Sequence, residues 1–175
     1  IRDSETGNIA VNASLTGHFV FSTLHTNDAP GAVTRLIDMG VKPFLVAAAT
    51  RAILAQRLVR KFCKKCEVTH TLTEGERKAL DLTDEDLIDA RTMIGAGCQA
   101  CDGGGYKGRM GLFEVLELED QIKRLIIEGE ASAVLRDYAL ENGLMKTLRQ
   151  DGVRKVISGS TSVAEVIRVT SSDEH

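Results

Sequence analysis

Apolar and polar positions along this chain switch several times between helical and strand spacing. The stretch 4–16 (Ser-Glu-Thr-Gly-Asn-Ile-Ala-Val-Asn-Ala-Ser-Leu-Thr) predicts a helix with Ile9, Ala10, Ala13 and Leu15 toward a core, ended by Gly17. His18-Phe-Val-Phe-Ser-Thr-Leu-His25 is a short β-rich run of the kind found in a buried central strand. Asn27 and Asp28 are good helix caps, Pro30 suits a first turn, and the helix they open should stop near Met39, before Gly40. A further helix is expected from Pro43 to about Arg60. Thr73-Glu-Gly-Glu76 and Thr83-Asp-Glu-Asp86 read as capped helix starts, the first with the capping-box spacing. Gly103, Gly104, Gly105 and Gly108 then precede an expected strand over 110–116. From Asp120 the spacing is helical, near 120–128, 131–142, 145–157 and 162–169, with Gly129, Gly143 and Gly159 between the segments. Leu125, Ile126, Leu135, Leu144, Leu148, Val153 and Val156 are the expected core of that part, and 171–175 an expected frayed tail.

With 175 residues, 43% of them apolar, the chain can bury a real core. A formal net charge of −3 and a pI of about 5.8 argue against a globally basic nucleic-acid binder. No apolar run approaches the roughly 18–20 residues that cross a bilayer. The charged start, Ile-Arg-Asp-Ser-Glu-Thr, has no apolar signal region, so a cytoplasmic location is expected. Ile1 is not an initiator methionine, and a fold that opens so abruptly is expected to be cut from something longer.

The cysteines change the picture most. Cys63-Lys-Lys-Cys66 and Cys98-Gln-Ala-Cys101 are two Cys-x-x-Cys units with 31 residues between them. Each unit can turn two thiolates toward one point, and two units complete a tetrahedral sulfur shell for zinc. Lys64 and Lys65 favour thiolate over thiol, and Gly97 with the glycines from 103 allows tight turns. A site with four protein ligands has no place left for water, so such a zinc would be structural. A redox dithiol is the competing reading.

His18 and His25 bracket the β-rich run, and an offset of seven along a strand points them to opposite faces. Spacing alone favours polar strand ends over a functional pair. The wider wording is more specific. Ile1-Arg-Asp, Thr16-Gly-His, Ser22-Thr-Leu-His-Thr-Asn, Ala55-Gln-Arg-Leu-Val-Arg and Gly105-Tyr-Lys-Gly-Arg occur in order, with the cysteine pairs among them. This series resembles the type II/type IV secretion ATPase superfamily, in particular its general secretion pathway protein E and type IV pilus assembly protein B group, from Ile1 to about Thr170.

The resemblance implies an α/β fold: the C-terminal half of a RecA-like (P-loop NTPase) domain over 1–60, a tetracysteine zinc subdomain over 61–105, and a strand with a helical domain over 106–170. It implies ATP hydrolysis with Mg²⁺ in a cytoplasmic hexamer. That hexamer would be held at the inner membrane by a platform protein and a cytoplasmic adaptor, and would drive protein secretion or pilus assembly. His18 and His25 would sit in the histidine box, near the γ-phosphate. Arg2 and Asp3 resemble the end of the Walker B segment, whose Glu would precede Ile1. No Gly-x-x-x-x-Gly-Lys-Ser/Thr loop occurs in these residues; Met145 precedes Lys146-Thr147 where a Gly is required. The segment alone is therefore expected to be inactive.

Arg57, Arg60, Lys61, Lys64 and Lys65 place five cations in nine residues. They read either as a solvated element end or, for Arg57 by resemblance, as a nucleotide contact. Arg109 reads as a salt bridge to Glu114 or a neighbouring carboxylate, or as a nucleotide contact. A non-enzymatic zinc module that binds nucleic acid or protein is the alternative from another class. No aromatic residues are interleaved with the cations for base stacking, and no nucleic-acid partner is expected.

Overall fold

Residues 1–171 are described in a computed structural model; 172–175, most of the expected tail, lie outside them. The chain is α/β and divides into two compact units, each made of two separate stretches. The first holds 1–55 and 114–146, the second 56–113 and the residues from 147 onward. Two long strands, β1 (Ala52–Phe62) and β4 (Tyr106–Glu117), pair with each other and contribute residues to both units.

In the first unit, α1 (Ser4–Leu15) is capped by Asp3, whose carboxylate accepts from Thr6 N. It buries Gly7 and Val11, a spacing of four, and leaves Ile9 and Leu15 exposed, so the expected inward face is corrected. The glycine decides this: a Cβ at position 7 would lie 3.1 Å from Val41 Cγ2, so α1 approaches its neighbour along that side. Helix α2 (Ala29–Asp38) starts on Asp28, as read from the sequence, with Gly31 N donating to its carboxylate at 2.8 Å. Helices α5 (Asp120–Glu128) and α6 (Ser132–Glu141) complete the core, burying Ile122, Ile126, Leu135 and Ala139 with Val33, Val46 and Leu116.

Two expected elements are corrected here. The run 18–25 is not a strand: no ladder joins it among the described residues, its Thr23 O accepting only from the Ile1 amino group at 2.7 Å, and Phe19 and Phe21 are 78% and 87% exposed. Their rings meet edge to face at 4.8 Å. Apolar β-branched and aromatic composition does not make a strand without a ladder partner for the backbone. The helix expected from Pro43 to Arg60 ends at Ala49, as α3 (Pro43–Ala49), because Thr50 turns extended at ψ 131°. From Ala52 the spacing becomes two, with Ile53, Ala55, Arg57 and Val59 turned inward and pairing to β4 available.

The second unit contains a small ladder, β2 (Glu67–Thr69) against β3 (Met93–Gly95), antiparallel, with Val68 opposite Ile94. Between them lie α4 (Glu74–Ala79), started by the Thr73–Glu76 capping box, and a single 3₁₀ turn over 85–87 where the second capped start was expected. Helix α7 (Leu148–Ile157) opens on a Thr147–Gln150 capping box, and α8 (Val163–Thr170) on Ser162. Leu80 and Leu82 pack with Val156, Val163 and Val166. Gly152 permits the close approach of the last two helices, since a Cβ there would overlap Val166. No described helix is long and apolar enough to cross a membrane.

Candidate functional site

All four cysteines converge. Cys63 follows the last residue of β1, Cys66 precedes β2, and after β3 Cys98 caps a 3₁₀ turn that ends on Cys101. Their sulfurs all lie within 4.8 Å of one another, with Cys63–Cys98 at 3.9 Å, Cys66–Cys101 at 3.8 Å and Cys98–Cys101 at 3.8 Å. A tetrahedron with Zn–S bonds of about 2.3 Å has sulfur–sulfur edges of about 3.8 Å. The donor set and its spacing therefore fit a metal ion of that kind.

The backbone is shaped for this. Cys63 N donates to Gly105 O at 2.9 Å, and Ala96 N to Cys66 O at 2.9 Å, tying both cysteines of the first pair to residues on either side of the second. Cys98 N and Gly105 N donate to Cys101 Sγ at 3.2 and 3.3 Å. Those amides pull the Cys101 thiol down to about 7, Cys98 contributing most, whereas burial pushes Cys66 up to about 12. Four thiolates this close repel one another, and either protons or a cation must offset the charge; a metal ion would displace the protons.

Behind the cysteines sits a residue that the sequence did not single out. Glu165 is buried, 1% exposed, and its carboxylate accepts from Arg60 N and Arg60 Nη2, both at 2.8 Å. It also accepts from Arg168 Nε at 3.0 Å and Nη2 at 2.9 Å. Arg60 in turn lies over the Tyr106 ring, 4.2 Å from its centroid, and Tyr106 stacks on Phe62 at 5.3 Å. The Ser162-x-x-Glu165 spacing reads as a helix cap, not as a partner on β1. Burial alone would push the Glu165 carboxyl up, but hydrogen bonds from Arg168 and Arg60 hold it at about 2, against an ordinary 4.5. With the folded value depressed, its stabilisation is present in full above pH 4.5 and is lost as pH falls toward 2. Glu165→Gln is therefore expected to be less stable than wild type at pH 7, on the order of 2–3 kcal/mol. The gap should narrow between pH 4.5 and 2, as read by denaturant midpoints across that range.

The other candidates are spread over both units. Arg2 is exposed ahead of α1. His18 is exposed just after α1, with Nδ1 3.3 Å from both Ala13 O and Thr16 Oγ1. His25 is exposed, at the far end of the run 18–25. Arg57 is half-buried on the inward face of β1. Of the basic cluster, Arg60 pairs with Glu165 and Lys64 with Glu67 at 2.8 Å. Glu114 is buried and accepts from Ala29 N at 2.7 Å, at the start of α2, while Arg109 is exposed.

A family model described as type II/IV secretion system protein matches residues 1–168. The chain belongs to that family. Members similar to it include the type IV pilus assembly ATPase PilB of Thermus thermophilus, 45% identical over 97% of this chain and 19% of that protein. The type II secretion system protein HxcR of Pseudomonas aeruginosa is 47% identical over 97% of this chain and 32% of that protein. The chain thus spans between about a fifth and a third of the length of these secretion-family relatives. Among solved structures, the pilus retraction motor PilT with bound ADP superposes with a TM-score of 0.61 at 22% identity, over 97% of this chain and 37% of that one. The likeness carries the fold, and the expected α/β class holds.

Proposed function

We propose that this chain is the C-terminal part of a hexameric ATPase that powers type II protein secretion or type IV pilus assembly, with a structural zinc ion on Cys63, Cys66, Cys98 and Cys101. The family match over 1–168 carries the reading. The complete protein would be cytoplasmic, held at the inner membrane by a platform protein and a cytoplasmic adaptor, and would use ATP with Mg²⁺. In functional terms 1–60 is the second half of the nucleotide-binding core, 61–105 the zinc subdomain and 106–170 the strand and helical domain. Zinc, where bound, supplies a rigid cross-link and no chemistry, since four thiolates leave it no open position. His18 and His25 would meet the phosphate end of the nucleotide; Arg2 and Arg57 would contribute positive charge to the nucleotide. Hydrolysis needs a phosphate-cradling loop, and none occurs in these residues, so the chain alone is expected to be inactive.

The experiment is steady-state ATP hydrolysis by the full-length protein carrying His25→Ala. We expect kcat to fall roughly 100-fold, the typical loss of a group that stabilises or positions a transferring phosphoryl, with zinc content unchanged. An unchanged kcat would remove His25 from the nucleotide site, and a wild-type full-length protein without ATPase activity would overturn the motor reading.

A further inference from the structure

Strand β1 ends at Phe62, just before the metal centre, and pairs with β4 in a two-stranded ladder. Val59, Phe62 and Cys63 are buried, at 0%, 2% and 1%, while Arg60 and Lys61 are exposed. In such a pair alternate residues turn their backbone groups away from the neighbouring strand, and each of those groups needs another partner.

The partners come from a segment about a hundred residues later. Arg60 N donates to Glu165 Oε2 at 2.8 Å, Arg60 O accepts from Thr161 Oγ1 at 2.7 Å, and Phe62 N donates to Ser160 O at 3.1 Å. Tyr106, the residue after Gly105, donates its hydroxyl to Ser162 Oγ at 2.8 Å. The outer edge of residues 60–62 is thus held by 160–165, while the next residue, Cys63, bonds Gly105, whose own amide bonds Cys101 Sγ. The contact path from Glu165 to two of the four sulfurs is continuous.

We propose that Glu165 is a positioning residue of the four-cysteine centre: by holding the outward amide and the guanidinium of Arg60 it fixes the direction in which β1 presents Cys63. This rests on the reading of that centre as a zinc site. Glu165 touches no cysteine. It acts through the strand end, as a carboxylate that holds a ligand's neighbour acts in other metal sites. Arg168 binds the same carboxylate from its own helix, and its hydrogen bonds among the described residues go to Glu165, so the two roles of Glu165, pairing a charge and holding the strand, can be separated.

The test measures zinc affinity of the full chain by competition with a chromophoric chelator at neutral pH, beside the thermal midpoint, for wild type, Glu165→Gln, Arg168→Ala and Thr161→Val. Glutamine keeps the shape but cannot accept at both oxygens. The expected result is a zinc Kd raised roughly 10-fold or more by Glu165→Gln, the usual loss for an outer partner. Thr161→Val should raise it by a smaller factor in the same direction, and Arg168→Ala should lower the midpoint with zinc Kd unchanged. Should Glu165→Gln fail to fold, Thr161→Val carries the comparison with Arg168→Ala. Wild-type Kd in both Glu165→Gln and Thr161→Val, or the same weakening in Arg168→Ala, would overturn the positioning role while wild-type zinc binding upholds the metal reading. A wild-type chain that binds no zinc would overturn both.

Discussion

Cys101→Ser is expected to release the metal and to lower the thermal midpoint by on the order of 10 °C. Cys101 is the best-connected of the four ligands: its sulfur accepts from two backbone amides and lies 3.8 Å from both Cys66 and Cys98 sulfurs. A serine hydroxyl does not ionise near neutrality and is a poor zinc ligand, so three thiolates would be left with an incomplete shell. The loss should not unfold everything in the second unit, because Leu80 and Leu82 still pack against Val156, Val163 and Val166. The β2–β3 ladder, only three residues a side, has little else to hold it. Zinc content by elemental analysis and a calorimetric scan check this; a variant with full zinc and an unchanged midpoint would contradict it.

Gly105→Ala is the second large effect, expected to cost about 3 kcal/mol or more. Two independent requirements meet at that position. Its φ of +72° is a conformation that L side chains rarely adopt, and a Cβ there would overlap the carbonyl oxygen of Gly95. The obstacle is backbone, which cannot swing aside. Gly105 N also donates to Cys101 Sγ, so a shift to relieve the overlap would disturb a ligand. Gly103→Ala is the control. It has a similar φ of +77° but open space around the added carbon, so only the backbone cost of about 1 kcal/mol should appear. Denaturant midpoints of the two variants read the difference; equal losses would mean that the close approach of Gly95 and Gly105 contributes nothing.

What was legible in the sequence was local. The cysteine spacing predicts a shared site from residues three apart, and the sulfurs converge as that spacing requires. The Thr73 cap works through bonds to Glu76, three residues further on, and stands where the pattern put it. What depended on distant partners was not legible. Residues 52–59 continue an apolar run out of α3, and only their pairing with β4, far along the chain, makes them a strand. The same physics runs the other way at 18–25, where strand composition finds no ladder among the described residues. Glu165 meets Arg60 across 105 positions, so its burial and its pairing left no periodic trace. His18 and His25 stand out by resemblance alone, and both are exposed, at the two ends of the unladdered run.

Zinc K-edge X-ray absorption on the purified chain probes the four-cysteine centre most directly. One zinc per chain with four sulfur neighbours at about 2.3 Å is the predicted result. A metal shell containing nitrogen or oxygen ligands, or a zinc-free protein whose cysteines are paired as disulfides, would contradict it.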